Sequence, residues 1–210
     1  MIRTLVFLVV VLPSVASADK VLLLGDSNMN GAFGRLLGHE LRASGHTVVR
    51  KARSGSGLAY PGFFDWMDEA PRLADKHQAD TVIMIFGGND AQSLKPRQGD
   101  SWTRRVSWKD EELWRVTYRE RVENFASSLT RGGRRLIVLA PTNRRPKRAS
   151  QAMVRIRQEQ RAALANVADT HWIDTYIFSS DETGRYRAVS GEGRRKKLRH
   201  RDGIHLTEAG

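Results

Sequence analysis

Five short apolar runs, each bounded by turn residues, constrain this chain more than any other feature: "KVLLLGDS", "HTVVRKARSGSG", "DTVIMIFGGND", "RRLIVLAPTN" and "THWIDT". Each holds four to six residues rich in Val, Ile and Leu, as expected of strands buried on both faces of a parallel sheet. Between them lie segments of helical spacing. Phe33, Leu36, Leu37 and Leu41 recur at intervals of three and four, and Val116, Val122, Phe125 and Leu129 fall at compatible intervals in "RVTYRERVENFASSL". Strands alternating with helices predict a sheet covered by helices on both sides. Two regions interrupt the alternation. Residues 91–112, containing Trp102 and Trp108, are polar and read as a loop or lid, and 185–201 read as a basic hairpin around a Gly-rich turn.

A length of 210 residues fits one domain. The first eighteen, "MIRTLVFLVVVLPSVASA", carry Arg3, an apolar run from Leu5 to Leu12 and small residues at Ala16 and Ala18, the pattern of a cleaved secretory signal. The run is too short to span a bilayer as a helix. An exported, periplasmic or extracellular domain over 19–210 is therefore expected. Its removal takes away one Arg and no acid, so the net charge of +12 falls by only one. With no cysteine, the core must stabilise the fold without disulfides. Export makes nucleic acid an unlikely partner for this charge, and favours an anionic polysaccharide, peptidoglycan or membrane surface.

In an open parallel sheet, ligands bind beyond the carboxyl ends of the strands where the strand order reverses. With the order 2-1-3-4-5, Ser27 after the first strand, "SGSG" at 54–57 after the second and Asn89 after the third would converge there. A serine at a turn that opens a helix can expose its hydroxyl and offer its own N–H. The glycine segment supplies a second N–H and the Asn89 amide a third, which together would form an oxyanion hole. Near the chain end, "RDGIHLTEAG" places Asp202 and His205 three positions apart, so that the carboxylate can hold one imidazole nitrogen while the other faces Ser27.

These residues carry a resemblance. "GDSNMNG", the glycine of "RSGSGLA", "GGND" and "DGIH", in that order, resemble the four blocks of the SGNH, or GDSL-type, hydrolases. The layout is closest to an exported bacterial subgroup with "FFDW" after the second block and a basic run before the last. The resemblance implies a three-layer α/β/α flavodoxin-like fold with a five-stranded parallel sheet, and hydrolysis or transfer of acyl esters. By position Ser27 matches the nucleophile, His205 the base, Asp202 its orienting carboxylate and Asn89 an oxyanion donor. For the oxyanion glycine, counting from the strand favours Gly55 and the "SGL" triplet before "FFDW" favours Gly57, the preferred reading. Asn28 stands where the family usually has an apolar residue. The sequence ends at Gly210, where the family usually continues into a packed helix, so a truncated C-terminus is expected.

Asn28, Trp102 and Arg195 are the expected substrate-binding residues: Asn28 beside the nucleophile, Trp102 as a platform for a sugar ring, and Arg195 within "RRKKLRHR" as an anchor for an acidic substrate. No metal or organic cofactor is expected, because His39, His46, His77, His171 and His200 lack metal-ligand spacing. The function expected is an exported serine esterase or O-acyltransferase acting on an envelope carbohydrate or other ester. The alternative from another class is a catalytically silent carbohydrate-binding or assembly protein of the same fold.

Overall fold

The computed structural model describes residues 18–190 and 196–210. Five strands, β1 (Lys20–Gly25), β2 (Thr47–Ala52), β3 (Thr81–Ile85), β4 (Arg135–Leu139) and β5 (Thr170–Ile173), form one sheet in the order β2-β1-β3-β4-β5. All four pairings are parallel. Each strand lies in one of the five apolar runs, and the expected order is the one observed. The helices are α1 (Ser27–Asn30), α2 (Ala32–Ala43), α3 (Trp66–Lys76), α4 (Glu111–Leu129), α5 (Lys147–Leu164) and α6 (Thr175–Phe178).

The strand order distributes the helices. Parallel strands are joined by right-handed crossovers, so connections that step in opposite directions across a sheet place their helices on opposite faces. The step from β1 to β2 runs one way; those from β2 to β3, β3 to β4 and β4 to β5 run the other. Two cores result. Val21 and Leu23 of β1 join Ile83, Ile85 and Met29 under Phe33, Leu37 and Leu41 of α2. Leu22 and Leu24 of the same strand turn to the other face, against residues of α3, α4 and α5 that include Trp66, Trp114, Phe125 and Ile156. The alternation within β1 therefore buries both faces of the sheet.

The apolar stripes differ from expectation at two positions. Leu36 is 40% exposed and Val116 is 56% exposed. In α4 the buried face instead runs through Trp114, Thr117, Tyr118, Arg121, Val122 and Phe125. Arg121 is buried because its guanidinium donates to the carbonyls of Leu58 and Lys95, each at 2.9 Å, and pairs with Asp100. A buried cation needs such partners, and these hold the 91–112 segment to the domain. Within that segment Leu94 and Val106 form an antiparallel bridge. The 185–201 segment is hairpin-like at its base, where Val189 bridges Lys197, while its turn lies outside the described residues. Arg195 and most of the expected signal segment also lie outside them.

Candidate active site

Residues from the ends of β1, β2, β3 and β4 meet the chain's last segment at the carboxyl edge of the sheet, where the order reverses between β1 and β3. After β1, Asp26 caps α1: its carboxylate accepts from the Asn28 N–H at 2.9 Å. The cap is thus Asp26, which leaves Ser27 as the first helical residue with its hydroxyl unused by the helix. One turn of helix is weak alone. Here Arg50 donates to the carbonyls of Met29 and Asn30, at 2.8 and 3.0 Å, and ties the turn to β2.

His205 Nε2 lies 2.8 Å from Ser27 Oγ, and His205 Nδ1 lies 2.7 Å from Asp202 Oδ2. The other carboxylate oxygen of Asp202 accepts the N–H groups of Ile204 and His205 at 2.8 and 3.1 Å. Burial pushes the Asp202 carboxyl upward, but the hydrogen bond from the His205 ring and those from the two backbone N–H groups outweigh it and hold the group well below the usual carboxylate range. An ionised Asp202 places the imidazole proton on Nδ1, leaving Nε2 to accept from the Ser27 hydroxyl.

The loop bearing Asp202 and His205 is fixed from beneath by two arginines that sequence reading did not single out. Arg199 is buried and donates to Thr142 Oγ1 at 3.0 Å and to the Ile204 carbonyl at 2.9 Å, joining the end of β4 to the loop. Arg145 donates through Nη2 to the Arg201 carbonyl at 2.8 Å, and through its backbone N–H to the Gly203 carbonyl at 3.2 Å. Gly203 adopts φ +69°, and a Cβ there would meet the Arg145 side chain at 2.6 Å.

Asn89 and the glycine segment are linked as well. The Asn89 side-chain amide donates to the Ser56 carbonyl at 2.8 Å. It thereby orients the peptide unit that carries the Gly57 N–H and keeps its second amide hydrogen free. Ser56 is held further by its hydroxyl, which donates to the Arg53 carbonyl at 2.6 Å and accepts from the buried Trp66 indole at 2.7 Å. This bond gives the "FFDW" segment its part in the site. Among the described residues, the N–H groups of Ser27 and Gly57 donate to no protein acceptor. Gly57 is buried, whereas Gly55 is exposed at φ +79° beside Phe63.

Asp90 does not form the local Asx turn that its position invites. Its buried carboxylate accepts from Ala59 N–H at 2.9 Å and Tyr118 Oη at 2.8 Å, tying the glycine segment to α4. A second buried carboxylate, Asp26, sits behind Ser27. Burial raises its pKa to about 6, against the lowering effects of the Asn28 N–H and the nearby Arg144 guanidinium.

Beside Ser27 opens a cavity of about 600 Å³, lined by Asn28, Gly31, Ala32, His200, Arg201 and Leu206 together with Asp202 and His205. Asn28 is only 7% exposed, and its side-chain Oδ1 is buried without a hydrogen-bond partner. Trp102 is not among the residues lining this cavity. Its ring packs against the main core and carries the Arg121 guanidinium 4.5 Å from its centroid, so the residue that looked like a sugar platform serves to cover a buried cation.

The family model described as "Protein of unknown function (DUF459)" matches residues 20–210. No curated protein matches the chain. Among solved structures, LAE5, an alpha/beta hydrolase enzyme from the metagenome of Lake Arreo, Spain, is 15% identical, with a TM-score of 0.60 over 92% of this chain and 90% of that one. A variant of Axe2, an acetyl xylan esterase from Geobacillus stearothermophilus, is 17% identical, with a TM-score of 0.58 over 92% and 89%. A candidate SGNH hydrolase from Slackia heliotrinireducens is 17% identical, with a TM-score of 0.55 over 92% of each chain. At these identities the likeness is one of fold, and the fold is the one that the four sequence blocks implied.

Proposed function

The chain belongs to the DUF459 family, and we propose that it is a serine esterase or O-acyltransferase, exported, acting on an acyl group such as acetyl carried by an envelope carbohydrate. The observation that carries the reading is the unbroken series Ser27 Oγ, His205 Nε2, His205 Nδ1, Asp202 Oδ2, with contacts of 2.8 and 2.7 Å beside an open cavity.

The chemistry follows from that series. His205 Nε2 takes the Ser27 proton as the serine oxygen attacks the ester carbonyl carbon, and Asp202 stabilises the imidazolium that results. The tetrahedral oxyanion accepts from the N–H groups of Ser27 and Gly57 and from the free amide hydrogen of Asn89. Collapse breaks the bond to the alcohol, which leaves with the proton from His205. Water or a sugar hydroxyl then gives its proton to His205 and attacks the acyl-serine, and Ser27 departs with that proton restored. Asn28 contributes a buried, unpartnered side-chain carbonyl oxygen at the cavity wall, suited to accept from a substrate hydroxyl, because an unmet polar group in that position costs free energy until a ligand satisfies it.

A serine-directed phosphonate checks the assignment. Mass spectrometry of the treated protein should find one adduct, on Ser27, and none in the Ser27→Ala or His205→Ala variants. Absence of labelling at Ser27, with the wild-type protein folded, would leave a carbohydrate-binding protein without turnover as the better reading.

A further inference from the structure

The cavity at Ser27 is the first of three adjoining depressions. It shares His200 and Arg201 with a second, of about 390 Å³, which contains Arg145, Lys197 and Tyr186. The second shares Arg145 and Tyr186 with a third, of about 350 Å³, which contains Arg144, Lys147, Arg185 and Tyr176. The cations come from three separate stretches of chain: the end of β4, the start of the hairpin-like segment and its return limb. Among the described residues no acidic side chain lines the second or third depression, and the first holds only Asp202.

The charge of this row is not neutralised by neighbouring carboxylates. Ten arginines elsewhere in the described residues each reach a carboxylate. Arg144, Arg145, Lys147, Arg185, Lys197 and Arg201 form no ion pair with any described carboxylate. A recessed row of unpaired cations, lined by no acidic side chain but Asp202 among the described residues, concentrates positive potential along its length.

We infer that this row is a binding groove for a polyanionic polysaccharide, which delivers an O-acylated sugar to Ser27 while acidic sugars beyond it lie against the second and third depressions. The inference rests on the esterase reading, since an ester-cleaving end of the groove calls for a polymer that carries acyl esters, which nucleic acids do not. Tyr186 and Tyr176 add ring faces suited to sugar stacking. The recessed shape suits a single flexible strand better than a flat bilayer.

The test uses the full chain. Lys147, Arg185 and Lys197 donate no side-chain hydrogen bond among the described residues, so a triple variant, K147Q/R185Q/K197Q, removes charge without disturbing the serine site. Binding is measured with Ser27→Ala, with and without these three changes, to polygalacturonate, neutral dextran, single-stranded DNA and phosphatidylglycerol vesicles. Polygalacturonate should bind best, weaken steeply with salt, and lose about tenfold in affinity in the triple variant. With Ser27 intact, the triple variant should lose about as much in kcat/KM on O-acetylated polygalacturonate and nothing on p-nitrophenyl acetate. Equal polygalacturonate binding with and without the three changes, or tighter binding of DNA or vesicles, overturns the groove. Retained p-nitrophenyl acetate turnover in that case leaves the esterase reading standing. Polygalacturonate binding that depends on the three cations, in a protein that cleaves no ester, upholds the groove and removes the esterase reading alone.

Discussion

The Asn89 side-chain amide gives one hydrogen to the Ser56 carbonyl, and its other hydrogen, which meets no acceptor among the described residues, is the proposed oxyanion donor. Asn89→Ala should therefore lower kcat by roughly 10²- to 10³-fold with KM little changed, since the lost interaction belongs to the transition state. Asn28→Leu should act in the opposite manner, raising KM for an acetylated sugar while sparing p-nitrophenyl acetate. Steady-state kinetics on both substrates check the pair, and unimpaired turnover in Asn89→Ala would remove its assigned role. The positions of Ser27, Asp202, His205 and Asn89 were legible because each follows a recognisable strand or stands in a short motif of its own. Ser56, Arg145 and Arg199 were not. Ser56 works through its carbonyl and hydroxyl as a bridge, and the two arginines gain their meaning only when the segment after β4 is placed beside the chain's last segment.

The glycine segment after β2 is an element without regular structure, and its shape is imposed by Asp90 from the end of β3 and Tyr118 from α4. A Cβ on Gly57 would fall far inside van der Waals contact with the Asp90 carboxylate, which is buried and hydrogen-bonded and has nowhere to move. Gly57→Ala should cost about 3 kcal/mol of stability by overpacking, read as a lowered urea midpoint, and a midpoint equal to wild type would show that the segment yields more easily than its contacts indicate. At this scale the strands were easy to read, because burial on both faces demands continuous apolar runs. The helix stripes were harder. Thr117 and Arg121 occupy the buried face of α4 through hydrogen bonds to Leu113 on the preceding turn and to Leu58 and Lys95 far along the chain, which leaves Val116 outside, and apolar periodicity has no signal for buried polar residues held in this way.

Acid and charge act on the molecule as a whole. Asp26 has its pKa raised from 3.8 to about 6 in the folded chain. Between those values the folded state holds a proton that the unfolded state has released, so this group makes stability fall as pH rises, by about 3 kcal/mol at most, with no further change above the folded value. Asp202 acts with the opposite sign and in a lower window: its folded pKa is depressed, so its contribution is present above the ordinary carboxylate pKa and is lost only as pH falls below it. Urea unfolding of wild type and Asp26→Asn between pH 4.5 and 7 isolates the first effect. Wild type should gain on the variant as the pH drops, and a constant difference would show that Asp26 titrates alike in both states.

The span between Ser27 and His205, 178 positions along the chain, has a temporal consequence. A ribosome makes the alcohol 178 residues before the imidazole, so over that stretch of synthesis the growing polypeptide carries an ordinary serine without the ring that contacts it in the folded chain. All five strands of the sheet that aligns the two precede His205 in the chain, so on the proposed reading the serine would gain its base only once they have been made.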